Sequence, residues 1–255
     1  MTGKQESVFE KYAHEYDLIT NAIQREAYHA REVEAIIARF KPSSTLDAGC
    51  GSGLTSMLLA REGVKTVGLD RSRKMLDVCR QKYGDLGLPL TFRQGSFERL
   101  PRNMYGKFDL IVSLANSISG LDSLSDLRRS VSNFYRALRP GGWLLLQALN
   151  YTSITENSLL PIKVTNNEGI LWARYARRQG KRYGVHVIRL DLNTDPPGFE
   201  PFCHEFDNFS PVEIGTAMER AGFRRISRYS SLYFDKRFSK ASRDLVITGY
   251  RPTKD

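Results

Sequence analysis

A doubly wound α/β fold, a mostly parallel sheet with helices on both faces, is what the residues of this chain predict. Three observations carry it. Apolar strand-like runs alternate with amphipathic helix-like runs over residues 42–150, and the rhythm resumes after residue 210. A strand-to-helix crossing holds three glycines in alternate positions, Asp47-Ala48-Gly49-Cys50-Gly51-Ser52-Gly53. Asp70 then closes a second apolar run, Thr66-Val67-Gly68-Leu69, seventeen positions after Gly53.

The elements follow in order. Residues 8–40 predict helix in two pieces, with Val33, Ile36, Ile37 and Phe40 at core-facing spacing, ended by Pro42. A strand at 45–48 leads through the glycines to a helix at 54–62, which turns Leu54, Met57 and Leu58 inward and stops at Gly63. A second strand at 66–69 precedes a helix at 72–83, capped by Ser72 and burying Met75, Leu76 and Cys79. Strand three is expected at 90–94. Strand four, Phe108-Asp109-Leu110-Ile111-Val112-Ser113, is the clearest. Asp122 or Ser123 opens a helix to Leu138, and Pro140-Gly141-Gly142 separates it from strand five at 143–149.

The rhythm changes over 151–209. Turn signals at Asn166-Asn167-Glu168-Gly169 and Arg178-Gln179-Gly180-Lys181 make 170–177 and 183–192 an antiparallel pair, and Asp195-Pro196-Pro197-Gly198 marks a further loop. A helix at 211–221, capped by Ser210 and stopped by Gly222, and strands at 224–232 and 244–250 complete the sheet. The chain thus divides into a helical lid at 1–41, a core at 42–150 and 210–255, and an antiparallel β insertion at 151–209.

Glycines tolerate positive φ and lack a Cβ, so a ligand can lie directly on the backbone of such a loop. A carboxylate at the end of the second strand is placed to accept from a ribose diol. Together they make a nucleoside-binding βαβ unit. The dinucleotide fingerprint Gly-x-Gly-x-x-Gly is not met: from Gly51 the chain reads Gly-Ser-Gly-Leu-Thr-Ser. Asp47 also sits poorly beside a pyrophosphate and better beside an ammonium or sulfonium.

Asp47-Ala48-Gly49-Cys50-Gly51-Ser52-Gly53 resembles the first motif of the class I S-adenosylmethionine-dependent methyltransferases, and the order of elements over 42–250 is similar to that whole fold. The resemblance implies a seven-stranded Rossmann-like sheet of order 3-2-1-4-5-7-6 with the last strand antiparallel. It also implies S-adenosyl-L-methionine as cofactor and S-adenosyl-L-homocysteine as product. On that basis Ala48, Gly49, Gly51 and Gly53 cradle the methionine part with Asp47 in support, and Asp70 holds the ribose. Arg71 and Met75 follow it, Met75 against the adenine. Ser96 stands where the family has Asp or Asn, a weaker acceptor for the adenine amino group, and Phe97 stacks nearby. Leu114 meets the cofactor through its backbone, and Asn116 and Ser117 line the acceptor cavity. The Asn-Ser step resembles glycine- and sarcosine-type N-methyltransferases; an Asn-Pro-Pro-Tyr motif is absent.

Residues 9–17 resemble the lid helix of small-molecule members. Tyr16 is expected over the cofactor and Tyr12, four residues earlier on the same helix face, beside the acceptor. Asn150, just past strand five, is also assigned to the acceptor, because ligands sit at the carboxyl edge of such sheets. No catalytic residue is assigned: methyl transfer from a sulfonium needs alignment and dryness more than acid or base. If the acceptor is a hydroxyl, His14 and His204 are the base candidates, while His29 and His186 read as surface or strand positions.

Composition sets the outer bounds. Apolar residues at 41% and charged residues at 26% of 255 suit a globular protein. There is no membrane-length apolar run, no leader-like N-terminus, and no metal-ligand spacing among Cys50, Cys79 and Cys203, so a reducing cytoplasm and no metal are expected. The net charge of +10 leaves RNA as a second acceptor class beside a small molecule. A third alternative is a cofactor-binding scaffold that transfers nothing. The insertion, rich in aromatics, is expected to cap the acceptor or to form a homodimer contact.

Overall fold

The structure is a computed structural model that describes residues 8–156, 158–180, 182–206 and 208–253. The N-terminal stretch at 1–7, where no leader is expected, Lys181 of the predicted turn and the last two residues of the core lie outside the described residues.

The seven predicted core strands are present: β1 (Ser44–Ala48), β2 (Lys65–Asp70), β3 (Leu90–Gln94), β4 (Phe108–Ser113) and β5 (Leu138–Leu149), then, beyond the insertion, β10 (Arg224–Tyr229) and β11 (Asp244–Tyr250). They form one sheet in the order β10-β11-β5-β4-β1-β2-β3. β1 to β5 run parallel to one another, whereas β11 is antiparallel to both β5 and β10. This is the order expected from the resemblance. β1 is buried along its whole length and β4 nearly so because helices cover both faces; Leu110-Ile111-Val112 of β4 reads as a continuous apolar run, whereas β1 buries Ser44, Thr45 and Asp47 beside Leu46 and Ala48. Leu46, Leu110, Ile111 and Leu145 are wholly buried, each contributing about 2 kcal/mol of transfer free energy.

Six helices flank the sheet or its edge: α1 (Val8–Lys11), α2 (Tyr16–Thr20), α3 (Ala22–Phe40), α4 (Leu54–Arg61), α5 (Arg73–Tyr83) and α6 (Leu124–Ala137); α7 (Pro211–Ala221) follows the insertion. The expected caps form. The Ser72 hydroxyl accepts from the Met75 amide, Ser123 does so from Asp126, and Ser210 with Glu213 makes a reciprocal capping box.

Three expectations are corrected. The N-terminal helix is not in two pieces. A 3-10 turn at Ala13–Glu15 and a left-handed Asn21 (φ 56°) cut it into three, so Tyr12 and Tyr16 lie on opposite sides of a break and do not share a helix face. Strand five begins at Leu138 rather than 143: Leu138 pairs with Phe108, the Pro-Gly-Gly step with its left-handed Gly141 (φ 88°) makes an irregularity, and the register resumes at Trp143 opposite Leu110. The insertion holds four strands instead of two: β6 (Leu159–Asn167), β7 (Ile170–Gln179), β8 (Arg182–Asp191) and β9 (Gly198–Phe206), an antiparallel meander in that order. β7 and β8 are the pair the turn signals marked. Its inner face packs Trp172 and Val187 against Val8 and Ile19 of the N-terminal helices, and Ala176 and Phe206 against Tyr151. Among the described residues, no helix is long and apolar enough to cross a membrane, and no cluster of metal-ligating side chains occurs.

Candidate active site

The glycine loop is pinned from behind. The amides of Gly49 and Cys50 both donate to the Leu69 carbonyl, at 2.8 and 3.0 Å, which binds the loop to the end of β2. Gly49 has φ 81°, and a Cβ there would stand 2.7 Å from the Ser117 Cβ, so only glycine fits. The Ser117 hydroxyl lies 3.1 Å from the Gly49 carbonyl and 2.8 Å from that of Leu114. Asp70 reaches back across the loop: one carboxylate oxygen accepts from the Gly51 amide at 2.9 Å, the other from the Ser72 amide at 2.9 Å. Burial pushes its carboxyl pKa up, against the pull of those two amides.

Asp47 is turned away from this face. It is 2% exposed and accepts from the Ser56 hydroxyl at 2.6 Å inside the first turns of α4. Burial pushes its pKa up to about 7, so near neutral pH it holds a proton part of the time. Asp47 thus lies under the loop as an anchor and does not face the ligand side with its charge. Ala48 and Gly53 also stand behind it, with Gly53 as the left-handed N-cap of α4.

In front of the loop opens a cavity of about 860 Å³. Gly49, Gly51, Asp70 and Arg71 form its floor; Met75, Ser96, Phe97 and Leu114 flank it. Tyr16 is the roof. A Cβ on Gly51 would lie 3.3 Å from the Tyr16 hydroxyl, and burial pushes that phenol up to about 12. Phe9 packs edge-on against the Tyr16 ring. The adjacent Asp17, 8% exposed, accepts from the Ser52 hydroxyl at 2.6 Å and from Lys82, fastening α2 to the loop and to α5. Asp17 had not been singled out in the sequence; its position beside Tyr16 was its only signal. Tyr12 turns the other way. Its hydroxyl donates to Glu200 of β9, Lys11 pairs with the same carboxylate, and its ring packs edge-on to Trp172 at 5.1 Å.

At the end of β4, Ala115 (φ 52°) and Asn116 (φ 69°) are both left-handed, a strained pair held by its surroundings. The Asn116 amide nitrogen donates to the Tyr151 hydroxyl at 2.8 Å. Its oxygen accepts from the Ser119 hydroxyl at 2.8 Å and the Leu149 amide at 2.9 Å. Asn116 and Ser117 both line the cavity, as does the wholly buried Tyr151, whose phenol burial raises strongly. Asn150 does not reach it: 4% exposed, it donates to the Lys240 and Ser242 carbonyls and holds the last hairpin. Among the histidines, His29 and His204 line the cavity. His29, read as a surface position, is fixed through Nδ1 to the buried Glu32 at 2.9 Å. His186 is a strand position stacked on Tyr175.

The residues present fit an adenosyl ligand. The Gly49 and Gly51 backbone lines the cavity beside Tyr16, a half-buried carboxylate closes the second strand, and Met75 and Phe97 supply apolar surface beside it. Residues 45–142 match the model of a methyltransferase domain. The chain is 34% identical over 112 residues to the glycine/sarcosine N-methyltransferase of Halorhodospira halochloris, covering 44% of this chain and 42% of that one. It is 26% identical over 206 residues to the enzyme of the same name from Parasynechococcus marenigrum, covering 75% and 67%. It thus spans less than half the length of the first of these curated relatives. An S-adenosylmethionine-dependent methyltransferase from Clostridium acetobutylicum superposes with a TM-score of 0.75 at 16% identity, covering 96% of this chain and 99% of that structure, which shows a common fold. Motif, sheet order and matched domain agree: residues 45–142 carry a methyltransferase domain, set in the fold of the S-adenosylmethionine-dependent methyltransferases.

Proposed function

We propose that the protein transfers the methyl group of S-adenosylmethionine to a nitrogen or oxygen of a small molecule. The observation that carries this reading is the make-up of the cavity. The N-terminal helices and the insertion sheet both line the space in front of the glycine loop, and about 860 Å³ lies within the roughly 300–1,000 Å³ of small-ligand sites. The curated relatives named for glycine and sarcosine support a small nitrogen acceptor. RNA is the less favoured reading, because several basic side chains are spent inside the fold. Arg251 reaches the carbonyls of Tyr135 and Leu138, Arg228 that of Pro211, and Arg39 the Tyr229 hydroxyl.

When bound, S-adenosylmethionine supplies a methyl group on a sulfonium, an electrophile that carries its own leaving group. The chain's part is to bind, orient and keep dry. Gly49, Gly51 and Leu114 offer backbone to the methionine part. Asp70 offers its carboxylate to the ribose, Met75, Ser96 and Phe97 receive the base with Arg71 beside them, and Tyr16 covers the whole. Asn116, fixed by three hydrogen bonds, and Tyr151 present polar edges to the acceptor, while the insertion caps it. An amine acceptor sheds its proton after transfer; for a hydroxyl acceptor the imidazoles of His29 and His204 are within the same cavity.

The test is incubation with S-adenosylmethionine and separate panels of small amines, small hydroxyl compounds and RNA, reading S-adenosylhomocysteine release and product mass. Release that depends on a small amine or hydroxyl compound is the expected result. Release that depends only on RNA, or none with any panel although the cofactor binds, overturns it.

A further inference from the structure

Two side chains at the carboxyl edge of β4 and β5 have their hydrogen-bond polarity fixed by the backbone. Gln147, near the end of β5, lines the cavity and accepts the Ala115 amide on Oε1 at 3.1 Å. A backbone N–H can only donate, so the oxygen of the Gln147 amide is the atom turned to Ala115, and its NH2 group is turned elsewhere. Asn116 is settled in the same way. The Leu149 amide and the Ser119 hydroxyl both reach its Oδ1, so its Nδ2 donates to the Tyr151 hydroxyl at 2.8 Å. Tyr151 therefore accepts from Asn116, and its one phenolic hydrogen is left to give.

Among the described residues, neither the Gln147 NH2 group nor the Tyr151 hydrogen has an acceptor. Both residues belong to the cavity wall, and both are tied to one consecutive pair, Ala115 and Asn116, whose left-handed backbone (φ 52° and 69°) follows β4. Tyr151 is wholly buried, and burial holds its phenol far above the ordinary value, so near neutral pH it is a hydrogen donor and not a phenolate. The two charges that act on it, Arg174 and Asp244, are of opposite sign, which leaves this corner of the wall to be read by its neutral donors. A donor left buried without an acceptor is costly, so a ligand that enters here must bring one. The wall's own acceptors at this corner, Oε1 of Gln147 and Oδ1 of Asn116, are already engaged. A ligand hydroxyl would bring a hydrogen that these oxygens do not take up, whereas a carbonyl-type oxygen brings lone pairs alone.

We propose that Gln147 and Tyr151 form a two-donor subsite that binds a carboxyl or amide oxygen of the methyl acceptor and so turns its nucleophilic nitrogen or hydroxyl toward the cofactor. This rests on the reading of the cavity as a methyl-transfer site. The two residues are binding groups: they hold an oxygen that is not itself methylated, and they take no proton. A pocket built to hydrogen-bond a polar atom strongly rejects the analogue that lacks it, because its own groups are then left unpaired.

The experiment measures S-adenosylhomocysteine release by the full chain with matched sets of amines and alcohols, in which one position carries a carboxylate, a primary amide or a methyl group. The sets are glycine, glycinamide and ethylamine; glycolate, glycolamide and ethanol; and 3-aminobenzoate, 3-aminobenzamide and 3-methylaniline. A carboxylate or amide member is expected to exceed its methyl counterpart by about tenfold or more in kcat/KM, and the two arms tell which oxygen is used. Gln147→Glu keeps an oxygen for the Ala115 amide but exchanges the donor for an acceptor. It is expected to lower kcat/KM for the oxygen-bearing member by about tenfold, mainly through KM, with S-adenosylhomocysteine affinity by calorimetry unchanged. A merely structural role for Gln147 would leave that variant like the wild type. Where Gln147→Glu fails to fold, Tyr151→Phe, which keeps the ring and its packing, carries the decision with the same expected loss. Methyl members turned over as well as their counterparts, no turnover of any oxygen-bearing member, or a folded variant that matches the wild type overturns the subsite. If methyl members are turned over regardless, methyl transfer stands and the subsite alone falls. If S-adenosylmethionine does not bind, the methyl-transfer reading falls with it.

Discussion

The Ser117 hydroxyl stands 3.1 Å from the carbonyl of Gly49, joining the end of β4 to the loop that follows β1. Two segments distant in the chain are thereby held at one spacing, and the bare backbone between them keeps its shape. Ser117→Ala removes this link without adding bulk. It is expected to weaken S-adenosylhomocysteine binding by about 0.5–1.5 kcal/mol while leaving the far-ultraviolet dichroism unaltered, as calorimetry and spectroscopy would check.

Asp70 does two jobs with one carboxylate, accepting from the Gly51 and Ser72 amides while closing the cavity floor. Asp70→Ala is expected to reduce cofactor affinity by about 1.5–3 kcal/mol, through lost charge-assisted hydrogen bonds and a loosened loop. Equal affinity by calorimetry would remove Asp70 from the site.

Asp47 gives the fold a pH dependence. Its pKa is about 7 in the folded chain, above the ordinary 3.8 of an exposed aspartate, so the folded state holds that proton more tightly than the unfolded state. Its contribution is therefore fully present below about pH 4 and is lost as pH rises through about 7, up to about 4 kcal/mol in all. Asp47→Asn cannot titrate. Urea melts across pH 4–8 are expected to show the wild type losing ground to the variant as pH rises; parallel curves would refute it.

Gly49→Ala meets two obstacles, the left-handed φ of 81° and a Cβ 2.7 Å from that of Ser117. A loss of about 1–3 kcal/mol in folding stability is expected, with a larger loss in cofactor binding. Pairing it with Ser117→Gly should restore part of the stability, since the nearest steric partner is then gone; no recovery in the double variant would show that φ strain and the Phe97 ring, 3.0 Å from the added Cβ, set the effect.

The parts of this architecture that were legible in the residues are those set by local rules. β4 announces itself through the apolar run Leu110-Ile111-Val112, because both of its faces are covered, β1 through the glycine loop that follows it, and Ser72, Ser123 and Ser210 mark helix starts because a cap is a contact three residues long. β6 and β9 were missed because they are the outer strands of the insertion; Pro161 and Pro201 interrupt them and their outward residues are polar or exposed. The separation of Tyr12 from Tyr16 turns on a 3-10 turn that no residue in Ala13-His14-Glu15 forces. Asn150, Asp17 and Tyr151 owe their places to partners 35 residues or more away, such as Ser52 for Asp17, Asn116 for Tyr151 and Lys240 for Asn150. Spacing along a chain carries no trace of such partners.

β11 lies between β5 and β10 rather than at an edge, with seven registered pairs to β5. Residues 244–250 are thus an interior plank of a platform whose first boards were laid two hundred residues earlier. Until they arrive, β5 has one flank bare, and the intervening four-stranded meander must be looped out while the gap waits. During synthesis the assembly closes late, and its stability hinges on the segment made last among those that build it.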